Sequence, residues 1–209
     1  RKIGMMGSGK KIAVSKKDFT LFKPSELLMK GAHNFKNAVM AAIVAQRISI
    51  SDKVILKAVK TFPGNEHRLE SVRTARTKNI RWYNDSASTT PESLAAAIRS
   101  FSKENLVVIA GGKDKNLDYA PVLKAIRSKE ARRVEAIILF GENKMKIADA
   151  LRKSNVPTKI VDDLRAAVAC ARRTLALQGG TVIFSPGATS FDMFKSYADR
   201  GEKFKKMVR

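Results

Sequence analysis

Cysteine is nearly missing from this sequence: Cys170 is the only one in 209 residues, and it lies in an Ala/Val-rich stretch of helical character. A lone cysteine makes no internal disulfide, which excludes a cross-linked secreted scaffold and fits a reducing cytoplasm. Histidine is almost as scarce. His33 and His67 stand far apart with no companion cysteine, so no metal cluster is expected. No apolar run approaches the ~18 residues that cross a bilayer, which excludes insertion through a spanning helix. Arg1-Lys2-Ile3-Gly4 offers neither an initiator Met nor the apolar core of a secretory leader, so the chain reads as a piece of a longer protein without a signal peptide.

Acidic residues are also few: 19 Asp and Glu face 41 Lys and Arg, for a formal charge of +22. A charge of that size raises the question of nucleic acid. The basic residues come as scattered doublets, among them Lys10-Lys11, Lys16-Lys17, Arg132-Arg133, Arg172-Arg173 and Lys205-Lys206. No block of like charge, RNP-type aromatic motif or Cys/His finger accompanies them, so a solvated surface without a specific nucleic-acid partner is the expectation. The alternative is a stand-alone nucleotide- or nucleic-acid-binding module that uses this charge. Hydrophobic residues make up 44% and charged residues 29%, a balance that supports a packed core and excludes disorder.

Apolar patterning divides the chain at Pro63-Gly64-Asn65, a breaker that predicts a boundary between 1–62 and 63–209. Before it, short strands are expected over 11–14 and 19–22, then a continuous apolar helix over 38–46 and a capped helix over 51–61. After it, a hairpin of 69–74 and 80–84 turning at Thr77-Lys78-Asn79 opens an alternation of strands and helices. The strands are expected at 106–110, 135–140, 158–161 and 181–185, and the helices at 92–101, 119–127, 144–153, 164–176 and 191–207. Short β-rich runs separated by longer helices predict an α/β fold: a Rossmann-like, doubly wound, mostly parallel sheet covered on both faces.

Ligands of such sheets bind beyond the carboxyl ends of the strands. The segments there are Asn84-Asp85-Ser86, Gly111-Gly112-Lys113-Asp114-Lys115 and Ser185-Pro186-Gly187-Ala188-Thr189-Ser190. Small, polar and leading into helices, they suit an anionic ligand held by backbone N–H groups and helix starts. Each also has a local explanation. Asp85 would satisfy turn donors, Lys115 would be a solvated lysine, and Thr89 with Glu92, or Thr90 before Pro91, would cap a helix. Ser190 would cap the last helix with Asp192 complementing its dipole, and Phe191, Phe194, Tyr197 and Phe204 fall at helical spacing, most of them core. Gly4-Met5-Met6-Gly7-Ser8-Gly9-Lys10-Lys11 nearly matches a phosphate-binding loop, but Lys11 replaces the Ser or Thr that holds magnesium and the run leads into a strand pattern.

Taken together, and in order, the motifs are specific. Gly31-Ala32-His33-Asn34-Phe35-Lys36-Asn37-Ala38, Glu66-His67-Arg68-Leu69-Glu70, Asn84-Asp85-Ser86-Ala87-Ser88-Thr89, the Gly111–Lys115 segment, Ser185 through Phe194, and Arg200-Gly201 resemble the signatures of the Mur ligase family. The resemblance implies that 1–62 is the tail of a central ATPase domain and 63–209 the C-terminal ligase domain. It implies an ATP-dependent, amide-bond-forming enzyme that adds D-glutamate to UDP-N-acetylmuramoyl-L-alanine through an acyl phosphate. ATP and Mg²⁺ would be required, in a cytoplasmic monomer serving peptidoglycan synthesis. By motif, Asn34, Asn37, Arg68 and Asp85 bind ATP, and Thr89, Lys115, Ser190, Phe191 and Tyr197 bind D-glutamate. Ala87 stands where many relatives have lysine, and the phosphate-binding loop and magnesium carboxylates would lie outside this chain, leaving it no catalytic residue and no metal site of its own.

Overall fold

In the computed structural model, residues 20–75, 78–101, 104–128 and 134–209 are described. Two compact units emerge, one of Arg1–Leu28 with Ala32–Phe62, the other of Met29–Gly31 with Pro63–Arg209.

The first unit, from residue 20 on, is a helix pair. Helix α1 (Ala32–Arg47) packs on α2 (Asp52–Thr61) around Phe22, Phe35, Ala38, Val39, Ala42 and Ile55. Phe22 and Phe35 meet edge to face at 5.9 Å, a favourable arrangement of ring quadrupoles. Helix α1 begins six residues earlier than apolarity predicts, because His33, Asn34 and Lys36 occupy faces that need not be buried. No strand forms over 20–22. The expected strand at 11–14 and the near-match to a phosphate loop lie outside the described residues.

The second unit is the expected α/β sheet. Strands β1 (Glu70–Val72), β2 (Ile80–Asn84), β3 (Leu106–Ala110), β4 (Val134–Leu139), β5 (Thr158–Ile160) and β6 (Gly180–Phe184) lie in the order β1-β2-β6-β3-β4-β5. β1 runs antiparallel to β2, and every other pairing is parallel. The connecting helices are α3 (Pro91–Arg99), α4 (Ala120–Ile126), α5 (Lys144–Leu151), α6 (Leu164–Thr174) and α7 (Tyr197–Val208). The turn of the β1–β2 hairpin falls partly outside the described residues.

Alternation along each strand sorts the core into two layers. Leu106, Val108 and Ala110 of β3 face a cluster with Leu94, Ile98, Val122 and Ile147. Val107 and Ile109 face Trp82, Val168, Leu175, Phe184 and Phe204. Each such side chain contributes roughly 1.5–3 kcal/mol when fully buried, so the doubly covered strands read as unbroken apolar runs.

One expected element is corrected. The last helix starts at Tyr197, and residues 191–196 form turns. Its cap is Ser196, whose side chain accepts from the Asp199 N–H at 3.1 Å, so Ser190 is not a helix cap. Of the four aromatics expected mostly in the core, Phe204 is buried, whereas Phe191 and Tyr197 are 67% and 48% exposed. At α3 the cap is Thr90, which accepts from Ser93 N–H, with Pro91 at the first helical position.

Candidate functional site

The strand order explains why three separate loops meet. β6, last in sequence, inserts between β2 and β3, so the exits of β2, β6 and β3 are neighbours on one rim. This is the switch point where doubly wound sheets open a crevice.

Backbone pairing knits the rim. Gly111 N–H donates to Pro186 O at 2.9 Å, Lys113 N–H to Thr189 O at 2.9 Å, and Gly187 N–H to Ser88 O at 2.9 Å. The approach is close enough to demand glycine: a Cβ on Gly111 would sit 1.9 Å from Phe140 O, and one on Gly112 would sit 2.4 Å from Thr189 O. Asn143, buried at the start of α5, accepts from Gly112 N–H through its side chain and donates to the Tyr119 hydroxyl at 2.7 Å. Tyr119 in turn donates to Gly187 O at 3.1 Å, and burial pushes its pKa up to about 12, so it remains a donor.

Arg200 holds the same loops from beneath. Wholly buried, it donates from Nε to Ser86 Oγ at 3.0 Å, and from Nη2 to Ser86 O at 2.9 Å and Ala188 O at 3.0 Å. Its guanidinium lies 5.9 Å over the Phe184 ring. Burial pushes its pKa down to about 10, opposed by the Asp192 carboxylate, and it stays charged at neutral pH. Thr189 Oγ1, Asp192 Oδ1 and Arg200 Nη1 are buried without a hydrogen-bond partner among the described residues, leaving polar capacity at this rim.

Asp85 is 8% exposed. It accepts from Leu69 N–H at 3.1 Å and from Ser185 Oγ at 2.7 Å. Burial pushes its pKa up to about 6, against the lowering effect of those bonds and of the Arg68 charge. Arg68 immediately precedes Leu69, whose N–H is held by Asp85. Ser86 Oγ donates to Tyr197 O at 2.7 Å, and the Tyr197 ring packs edge-on against His67 at 6.0 Å.

The structure therefore brings together the segments carrying Arg68, Asp85 and Tyr197, and it joins the loops carrying Thr89, Lys115, Ser190 and Phe191. Lys115 is exposed and makes no ion pair among the described residues, while Lys113 is committed to Glu142 at 2.6 Å. Asn34 and Asn37 belong to α1 of the first unit, one turn apart. Glu66, His67 and Glu202 bring metal-ligating atoms within 4.8 Å of one another. The Lys205 ammonium sits on this group, 2.7 Å from Glu202 and 3.8 Å from Glu66, and also reaches Glu70 at 3.1 Å. Sequence reasoning missed Tyr119, Asn143 and the role of Arg200; only the Arg200-Gly201 match pointed toward any of them.

Residues 67–188 match the family described as Mur ligase, glutamate ligase domain. The chain is 37% identical over 192 residues to a UDP-N-acetylmuramoylalanine–D-glutamate ligase of Aquifex aeolicus, covering 92% of this chain and 44% of that protein. It is 40% identical over 190 residues to the equivalent ligase of Geotalea uraniireducens, covering 90% of this chain and 40% of that one. The chain thus spans less than half the length of these relatives. Its fold is similar to that of a UDP-N-acetylmuramate-alanine ligase from Thermotoga maritima, with a TM-score of 0.61 at 18% identity, over 86% of this chain and 38% of that one. A MurF ligase from the same organism in complex with ADP gives a TM-score of 0.54 at 13% identity, over 85% and 38% of the two chains.

Proposed function

The chain belongs to the Mur ligase family, through its glutamate ligase domain, and from that membership we propose that it is the C-terminal part of an ATP-dependent ligase adding D-glutamate to UDP-N-acetylmuramoyl-L-alanine in peptidoglycan synthesis. Support comes from relatives bearing that name at 34–40% identity. The observation that carries the site is the junction of the β2, β6 and β3 exits into one polar rim. In such a ligase the substrate carboxylate takes the γ-phosphate of ATP, and the D-glutamate amine then displaces phosphate from the acyl phosphate.

The residues of this chain divide that work between two ligands. Asp85, ionised, accepts from the ribose diol, Arg68 pairs with the nucleotide's phosphates, and Asn34 and Asn37 present amides to an adenine edge. Lys115 pairs with a D-glutamate carboxylate, Thr89 and the Ser190 segment donate to it, and the exposed rings of Phe191 and Tyr197 wall the amino acid in. Residues 1–62 serve as the tail of the ATP-binding domain and 63–209 as the ligase domain. Magnesium is assigned to no residue of this chain. The enzyme works in the cytoplasm as a monomer; no helix among the described residues is long and apolar enough to cross a membrane.

Kinetics of the complete ligase test the division. Losing a charge-assisted hydrogen bond costs about 1.5–3 kcal/mol, roughly 10- to 150-fold in affinity. Lys115→Ala is expected to raise the D-glutamate KM or lower turnover by that order while the ATP KM holds. Asp85→Ala is expected to do the reverse. A Lys115→Ala enzyme impaired for ATP but normal for D-glutamate would overturn the assignment.

A further inference from the structure

Helices α6 and α7 lie side by side on one face of the sheet and leave a cleft between them. It is lined by Arg165, Val168, Ala169 and Arg172 from α6 and by Lys203, Lys206 and Met207 from α7. Two of the scattered doublets are split to make it. Lys205 turns inward to Glu70 at 3.1 Å and Glu202 at 2.7 Å, while Lys206 lines the cleft.

These cations are unevenly committed. Arg165 and Lys206 make no ion pair among the described residues. Arg172 is fixed 5.8 Å over Trp82, and its Nε is buried with no hydrogen-bond partner. Lys203 is paired with Asp199 at 2.9 Å, within its own helix. No carboxylate lines the cleft among the described residues.

We propose that the α6–α7 cleft binds the phosphodiester backbone of single-stranded nucleic acid without sequence preference. A groove that draws two cations from each of its two helices suits a thin polyanion threaded along it. A planar membrane would meet a flat or convex face instead, and a duplex is too wide for a groove between two adjacent helices. With no aromatic ring in its lining among the described residues, the cleft provides no platform for stacked bases, so contact is through phosphates and carries no sequence information. The net charge of +22 steers polyanions toward the chain, and the cleft is where they seat.

The test is fluorescence anisotropy of the full chain with a labelled oligothymidine of about 15 nucleotides across a salt series. Arg165→Ala/Lys203→Ala/Lys206→Ala is compared with Lys124→Ala/Arg127→Ala/Lys153→Ala, three exposed cations on or beside the helices of the opposite face. Both variants lose the same charge. The cleft variant is expected to bind at least about tenfold more weakly at low salt, with a log–log salt slope shallower by about 2, and the control to stay within about twofold. Glutamine replacements at the same positions give the same reading if an alanine variant folds poorly by circular dichroism. Equal losses in both variants, or no binding at low salt, would overturn the proposal. So would phosphatidylserine vesicles that bind through the same three residues more tightly than the oligonucleotide does.

Discussion

The exits of β2, β6 and β3 and the exit of β5 lie along one rim of one sheet but are built differently. At β5 the chain passes through exposed Asp162 and Asp163, and Asp163 simply caps α6 by accepting from Ala166 N–H at 2.7 Å. At the other three, Asn84, Asp85, Ser86, Ser185 and Ser190 are buried polar residues, tied by backbone bonds between loops. Strand order makes the difference. β5 is an edge strand, so the loop at its exit needs only to start the next helix. Where β6 returns between β2 and β3, loops distant in sequence meet, and buried polar groups must be paired by partners drawn from all of them.

The contrast breaks most severely at Arg200. Arg200→Met removes its bonds to Ser86 and Ala188 and strands the Ser86 and Ala188 carbonyls. A loss of about 3–5 kcal/mol is expected in urea denaturation. If the loss is under about 1 kcal/mol, the rim is not held by this residue.

The next effect depends on pH. Because burial raises the Asp85 pKa from 3.8 to about 6, the folded state favours the protonated carboxyl. Its stabilising contribution is full below the unfolded value and is lost as pH rises through about 6. Asp85→Asn lacks this loss, so it is expected to be more stable than the parent by about 3 kcal/mol near neutrality, a gap that closes toward pH 4. Parallel stability curves for the two chains would mean that Asp85 is ionised at little cost.

The smallest effect belongs to the plain exit. Asp163→Ala removes one exposed cap and is expected to cost about 1 kcal/mol. Equal costs for Asp163→Ala and Arg200→Met by denaturation would erase the distinction between the two parts of the rim.

Strands β3 and β6 were legible because doubly buried strands leave unbroken apolar runs, and the three rim loops because small polar residues follow them directly. The last helix was misplaced at its start. Phe191 and Phe194 continue the helical spacing, and Ser190 and Ser196 both look like caps. Only Ser196 has an acidic residue, Asp199, three positions on, the better capping signal. Arg200 and Asn143 were illegible for another reason: one sits inside α7 and the other just before α5, and their partners lie in loops remote in sequence, where no local pattern reaches. The basic cleft was hidden likewise, since half of each doublet faces elsewhere.

The two borders of the sheet carry one more consequence. β1 and β5 are its edge strands, and each is only three residues long. An edge displays unpaired N–H and C=O groups and invites another chain to extend the sheet. Pro157 enters β5 without a donor, Lys159 sits at its centre, and Glu70 opens β1. Any intruding strand would find few groups to pair with and a charge to displace, which keeps copies of this chain from zipping edge to edge even in a crowded, concentrated solution.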